Sequence, residues 1–133
     1  MSVRDALVAD PRVLPAGAPA REVAELLSRP QVETALVVDG ERLVGCVTRE
    51  ALVAAVARGE DVQRLTAGEL ADADVPTIGP DVPLDDALRL MAEAELERLP
   101  VTEGDRLLGV LPRDGLVRRI SEDEAPSEEP AAR

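Results

Sequence analysis

The sequence predicts an α/β (α+β) fold made of two copies of one β-α-β-β-α unit. Two observations predict it. Shifted by 64 residues, the chain registers on itself without a gap, residues 3–53 against 67–117. Within each copy the apolar period changes in the same order, from helical to strand-like and back to helical. Identities recur along the register: Pro19/Pro83, Leu26/Leu90, Val37/Val101, Gly40/Gly104, Arg42/Arg106, Gly45/Gly109, Arg49/Arg113 and Leu52/Leu116. A unit of roughly 50 residues is too small to hold a good core alone, so the two are expected to pack on each other.

Each element follows from its residues. Val13-Leu14 and Thr77-Ile78 read as a short strand before each first helix. PAREVAELL (19–27) and PLDDALRLMAEAEL (83–96) space apolar residues three and four apart, as an amphipathic helix does. Each opens on a Pro, tolerated where the first turn has no use for an N–H. Asp81, Asp85 and Asp86 place negative charge at the second helix's N-terminus, which the helix dipole favours. TALVV (34–38) and LPVTE (99–103) are short apolar strands, followed by the turn dipeptides DG (39–40) and EG (103–104). LVGCVT (43–48) and LLGVLP (107–112) complete the hairpins. REALVAAVARG (49–59) and RDGLVRRI (113–120) are the closing helices, with Gly59 suited to a C-terminal cap. Thr66 followed by Glu69 fits a capping box, so a helical turn is predicted inside the linker.

The domain reading is therefore a first repeat over 3–59, a linker with that short helical turn over 60–74, and a second repeat over 75–120 whose register begins at 67. Residues 121–133 are acidic and nearly free of large apolar side chains, so a disordered tail is expected there.

Composition excludes several classes of function. With no Phe, Tyr or Trp, the core must come from Leu, Val, Ile, Ala and Met. The absence of His removes the commonest general base and metal ligand, and the lone Cys46 excludes an internal disulfide or a cysteine zinc cluster. Cys46 sits in an apolar strand and reads as an inert thiol. No metal site, catalytic residue or enzyme activity is expected: there is no phosphate-binding Gly-rich loop, and Asp85 and Asp86 are sequence neighbours that do not face one another on a helix. The net charge of −12 argues against a nucleic-acid partner, which requires a basic face. No apolar run approaches a membrane span and no signal peptide is apparent, so a cytoplasmic protein is expected.

Taken in order, VRDAL, VLPAGAPAREVAELL, ALVVDGERLVGCVTREALV, TAGEL and PTIGPDVPLDDALRLMAEAELERLPVTEGDRLLGVLPRDGLVRRI resemble a tandem pair of CBS domains across residues 3–120. The specific part is the succession, found twice in register: strand, Pro-started helix, strand, acid-Gly turn, strand, helix. The resemblance implies two β-α-β-β-α repeats packed sheet to sheet in a pseudo-twofold disc, with two clefts between them. It implies a stand-alone regulatory module; a bacterial source is expected, and the Lys-free, Arg-only basic set with abundant Ala, Val and Pro fits the codon bias of a GC-rich genome. Such a module would bind an adenosine ligand (AMP, ADP, ATP or S-adenosylmethionine), signal to a partner protein of unknown identity and form a homodimer. Its alternative is a pair that has lost its ligand and serves as a dimerisation or docking module. The apolar residues of 51–59 and 116–120 exceed what a small monomer needs and support the homodimer.

The resemblance also assigns candidate ligand contacts. In the second repeat they are Thr77, Ile78, Arg98, Leu99, Pro100, Arg113 and Asp114; in the first, weaker, they are Val13, Leu14, Ala35, Leu36, Thr48, Arg49 and Glu50. Arg49 and Arg113 fall in the first turn of each closing helix, where free backbone N–H groups favour anions and a guanidinium can pair with phosphate. Thr48 also suits the cap of helix 49–59. The family's nucleotide-binding version carries an Asp three residues after the Thr or Ser, where it grips the ribose hydroxyls. Here those places hold Ala51 and Gly115, while Glu50 and Asp114 stand one residue early, rotated by about 100°. Weak binding is expected, without aromatic stacking on the base.

Overall fold

The computed structural model describes residues 1–10 and 12–114. The chain divides into two units. Among the described residues, one holds Asp10–Val75 with Asp105–Leu107; the other holds Met1–Ala9, Pro76–Gly104 and 108–114.

The unit built on the first repeat contains β1 (Val13–Pro15), α1 (Ala20–Leu27), β2 (Thr34–Asp39), β3 (Arg42–Thr48), α2 (Arg49–Ala57) and α3 (Ala67–Leu70), with a 3-10 turn at Val62–Arg64. β1 runs parallel to β2, Leu14 opposite Val37. β2 and β3 form the antiparallel hairpin, whose register shifts between Val37 and Val38. Gly40 takes φ 66° in the turn, a conformation that glycine adopts without a Cβ clash. Arg106 adds one rung beside Arg42. α1 buries Ala20, Val23 and Leu27 along one face, as its 3.6-residue period requires. Burying Leu27 or Val23 contributes about 1.5–3 kcal/mol each.

The unit built on the second repeat contains α4 (Leu84–Glu93), β4 (Arg98–Glu103) and, from Leu108, β5 (Arg106–Pro112). The strand expected at Thr77-Ile78 is a single parallel bridge, Ile78 to Val101. α4 is shorter than the pattern over 83–96 predicts. It stops at Glu93, Glu95 turns left-handed at φ 54°, and the Leu96 N–H reaches back 2.9 Å to the Met91 carbonyl. That 6→1 bond closes the helix in a Schellman turn. The rest of the second closing helix beyond Asp114, with Gly115, and the tail 121–133 lie outside the described residues.

Both cores draw on the same register positions. Val23, Leu27, Ala35, Val37, Val47 and Ala67 fill one; their equivalents Ala87, Met91, Leu99, Val101, Leu111 and Val3 fill the other. Volume is redistributed between them: Ala35 becomes Leu99, while Val23 becomes Ala87. The core positions are shared and the side-chain sizes are exchanged, as close packing demands.

Val3 and Ala67 show a further regularity. The segment that leads into each repeat in sequence folds into the other unit. Residues 1–9 open the first repeat in sequence yet belong with the second, where the Val3 N–H bonds the Val82 carbonyl at 2.9 Å and the Arg4 N–H bonds the Pro80 carbonyl at 2.8 Å. Residues 66–75 open the second repeat's register yet belong with the first, where the Ala67 and Gly68 N–H groups bond the Ala18 and Ala16 carbonyls, each at 2.8 Å. These are the same bonds shifted by 64 residues. Val8 and Val110 exchange two backbone hydrogen bonds at 2.9 Å, and Asp72 and Cys46 make the equivalent pair at 2.8 and 3.0 Å. Each lead segment opens on a reciprocal turn: Thr66 with Glu69, as the capping-box pattern predicts, and Ser2, whose N–H donates to Asp5 Oδ2 at 2.9 Å. No helix among the described residues is long and apolar enough to cross a membrane.

Candidate functional site

In the second repeat, the short segment at Ile78 and the strand β4 are held together by the backbone. The Ile78 N–H donates to the Pro100 carbonyl at 3.0 Å, and the Thr102 N–H donates to the Ile78 carbonyl at 2.9 Å. The end of β5 returns to the start of β4: the Arg113 N–H donates to the Glu97 carbonyl at 2.8 Å. The Arg113 side chain also donates to Glu97 Oε1 at 3.3 Å. Arg113 is thereby tied to Glu97, the residue before Arg98, at the head of β4; Arg98 is half-buried and Asp114 exposed. Thr77 is exposed just before the bridge. Leu99 is fully buried in the core and Pro100 is buried, so the Leu99 side chain is not an exposed apolar wall.

The first repeat places the equivalent residues in the same frame. Leu14 pairs with Val37, Thr34 with Thr48, and the Arg49 N–H reaches the Glu33 carbonyl at 3.4 Å. Val13 and Leu14 are half-buried, while Ala35 and Leu36 are buried. The Thr48 hydroxyl accepts from the Ala51 N–H at 3.0 Å, which makes it the cap of α2, and Glu50 is exposed in the first turn.

Arg49 differs from Arg113. Its guanidinium donates from Nε and Nη2 to the Leu27 carbonyl at 3.0 Å each, and from Nη2 to Arg29 at 3.2 Å and Val32 at 2.6 Å. All three acceptors are backbone carbonyls at and beyond the end of α1. The cause is Pro30, which disfavours helical backbone at Arg29 and ends α1 early. The freed carbonyls collect on Arg49, a cation well placed at a helix C-terminus. The second repeat has Ala94 where the first has Pro30, and its helix ends in the Schellman turn instead.

Gly45 and Gly109, read from sequence as strand interior only, have a structural reason to be glycine. A Cβ on Gly109 would stand 2.6 Å from the Val8 carbonyl oxygen, and one on Gly45 would collide with the Asp72 carbonyl. The signal that finds them is Gly inside a strand at the same place in both copies, a mark of close backbone approach. Beside Gly45, Cys46 is half-buried. Burial, and then the negative charge of Asp72, push its thiol pKa above the ordinary value, so it stays protonated at neutral pH. Among the described residues no group of three or more His, Cys, Asp or Glu is placed to hold a metal.

Fold and site together define a duplicated α+β module in which each repeat sets a short parallel segment and a helix-starting arginine around the head of one strand. The CBS domain model matches residues 3–58 and 67–122, and the chain belongs to the CBS domain family. Hypoxic response protein 1 of Mycobacterium tuberculosis is 31% identical over 85 residues, 63% of this chain and 59% of that protein. The chain thus spans less than two thirds of that relative's length. The CBS domain-containing protein YhcV of Bacillus subtilis is 27% identical over 128 residues, 95% of this chain and 91% of that one. Among solved structures, CBSX2 in complex with AMP is 25% identical with a TM-score of 0.74, covering 92% of this chain and 98% of that one. CBSX2 comes from Arabidopsis thaliana.

Proposed function

We propose that this chain is a regulatory CBS pair that binds an adenosine-type ligand, AMP, ADP, ATP or S-adenosylmethionine, weakly, and passes the binding state to a partner protein. The observation that carries the reading is the backbone at the head of β4, to which Ile78 is tied through Pro100 and Arg113 through Glu97. Its support from outside is the likeness to CBSX2, a protein solved with AMP. The two Arg supply anion contacts; Gly115, in place of an Asp, removes the ribose grip and sets the affinity low. A regulatory role without catalysis fits a chain that holds no His.

A differential-scanning measurement with millimolar AMP, ATP and S-adenosylmethionine tests this. A ligand at about 100 times its Kd stabilises by about 2.7 kcal/mol, which moves the midpoint by several degrees. No shift with any of them overturns ligand binding. It would favour the second reading, a homodimeric docking module. That reading is supported by Val53 and Val56 of α2, neighbours one turn apart that are 64% and 61% exposed. Large apolar side chains paired on an exposed helix face suit a second copy of the chain.

A further inference from the structure

We propose that the two equivalent arginines have separated in role: Arg49 is a fixed cap of the fold, and Arg113 is the chain's anion-binding arginine, held in waiting by Glu97. This rests on the ligand-binding reading above and deepens it to one phosphate-bearing site per chain. Three observations carry it. Arg49 makes four hydrogen bonds to backbone carbonyls, so turning it toward a ligand would strip the end of α1. The second repeat closes α4 by its own backbone, at the cost of a left-handed Glu95, and so leaves the end of that helix independent of Arg113. Arg113 instead meets a side chain, Glu97, with the pair 41% and 67% exposed. An exposed pair holds weakly, and a phosphate can displace the carboxylate without exposing any backbone group.

The charge around Arg113 also limits the ligand. Glu97 and Asp114 balance Arg98 and Arg113, so the site takes a single phosphate more readily than a triphosphate. ATP is therefore expected to bind no more tightly than AMP.

Isothermal titration of the full chain with AMP and ATP, alongside thermal melts without ligand, decides the matter. The expected result is one AMP per chain, with R113Q weakening AMP at least ~10-fold and E97Q tightening it ~2–5-fold by releasing the arginine. In the melts, R49Q lowers the midpoint by ~5 °C or more and R113Q by less than ~2 °C. Should R49Q fail to fold, R49K keeps the charge without the planar fork and is expected to melt below wild type, while R113K does not. Two equal AMP sites, or unchanged AMP affinity in R113Q, would overturn the proposal while leaving ligand binding intact. Equal destabilisation by R49Q and R113Q would also overturn it. A wild-type chain that takes up no AMP removes the binding role of Arg113 together with the ligand reading, and the melts then decide the role of Arg49 alone.

Discussion

Arg49 and Arg113 stand at one register position, and a single upstream residue sets them apart. Pro30 ends α1, and Arg49 gathers the carbonyls that the lost turn leaves open. Replacing Pro30 by Ala, the residue of the second repeat, is expected to lengthen α1 and make Arg49 less necessary. The destabilisation caused by R49Q, about 2–3 kcal/mol in the parent background, should then shrink in a double-mutant cycle read by urea titration. Cys46 gives a second test at this scale. Because burial and Asp72 raise its pKa, the folded state favours the neutral thiol. Its contribution to stability is complete below the free-thiol value near pH ~8.5 and is lost as pH rises through the higher folded pKa. Alkylation in the native state is therefore expected to be slow at pH 7 and to rise steeply only in alkali. Asp72→Asn should speed it at any fixed pH below that rise, since one of the two causes of the shift is gone; no change would mean that burial alone sets the pKa.

The elements were legible where a pattern in the chain has one physical cause. The hairpins over 34–48 and 98–112 follow from β-branched runs around an acid-Gly turn, and Thr66 with Glu69 capped its turn as the box requires. The end of α4 was not legible, because the apolar period continues to Leu96 while the backbone leaves the helix at Ala94. The N-terminal segment was less legible still. Its sequence register assigns it to the first repeat, and only backbone pairing places Val8 beside Val110. That crossing explains why LVGCVT and LLGVLP share their glycine. Gly109→Ala is expected to cost about 2–3 kcal/mol, read by urea denaturation, because the new methyl meets a carbonyl that the ladder holds in place. Gly104→Ala should also destabilise, but by only about 1 kcal/mol: it has open space and loses only the freedom to adopt φ 64°. Equal losses at the two glycines would count against a crowded crossing. At the candidate site, the register pairs Arg49 with Arg113; the separate employment of Arg49 was not readable, since it depends on where α1 stops.

For the molecule as a whole, duplication supplied two frames and later divergence gave them different contents. Each unit depends on a lead segment from the far side of its sequence neighbour, with Val3 buried in one core and Ala67 in the other. Removing residues 1–8 is therefore expected to loosen the second repeat, although those residues adjoin the first in sequence. Hydrogen exchange should show amides of β4 and β5 losing protection before those of β2 and β3; the reverse order would contradict the exchange of lead segments. The proposed division between Arg49 and Arg113 predicts binding at one repeat only. The most direct test is a ¹H–¹⁵N titration of the chain with AMP. The account expects amide shifts at Ile78, Arg98 and Arg113 that saturate together, while their equivalents Leu14, Thr34 and Arg49 stay still. Equal movement of both sets, or none at millimolar AMP, would contradict it.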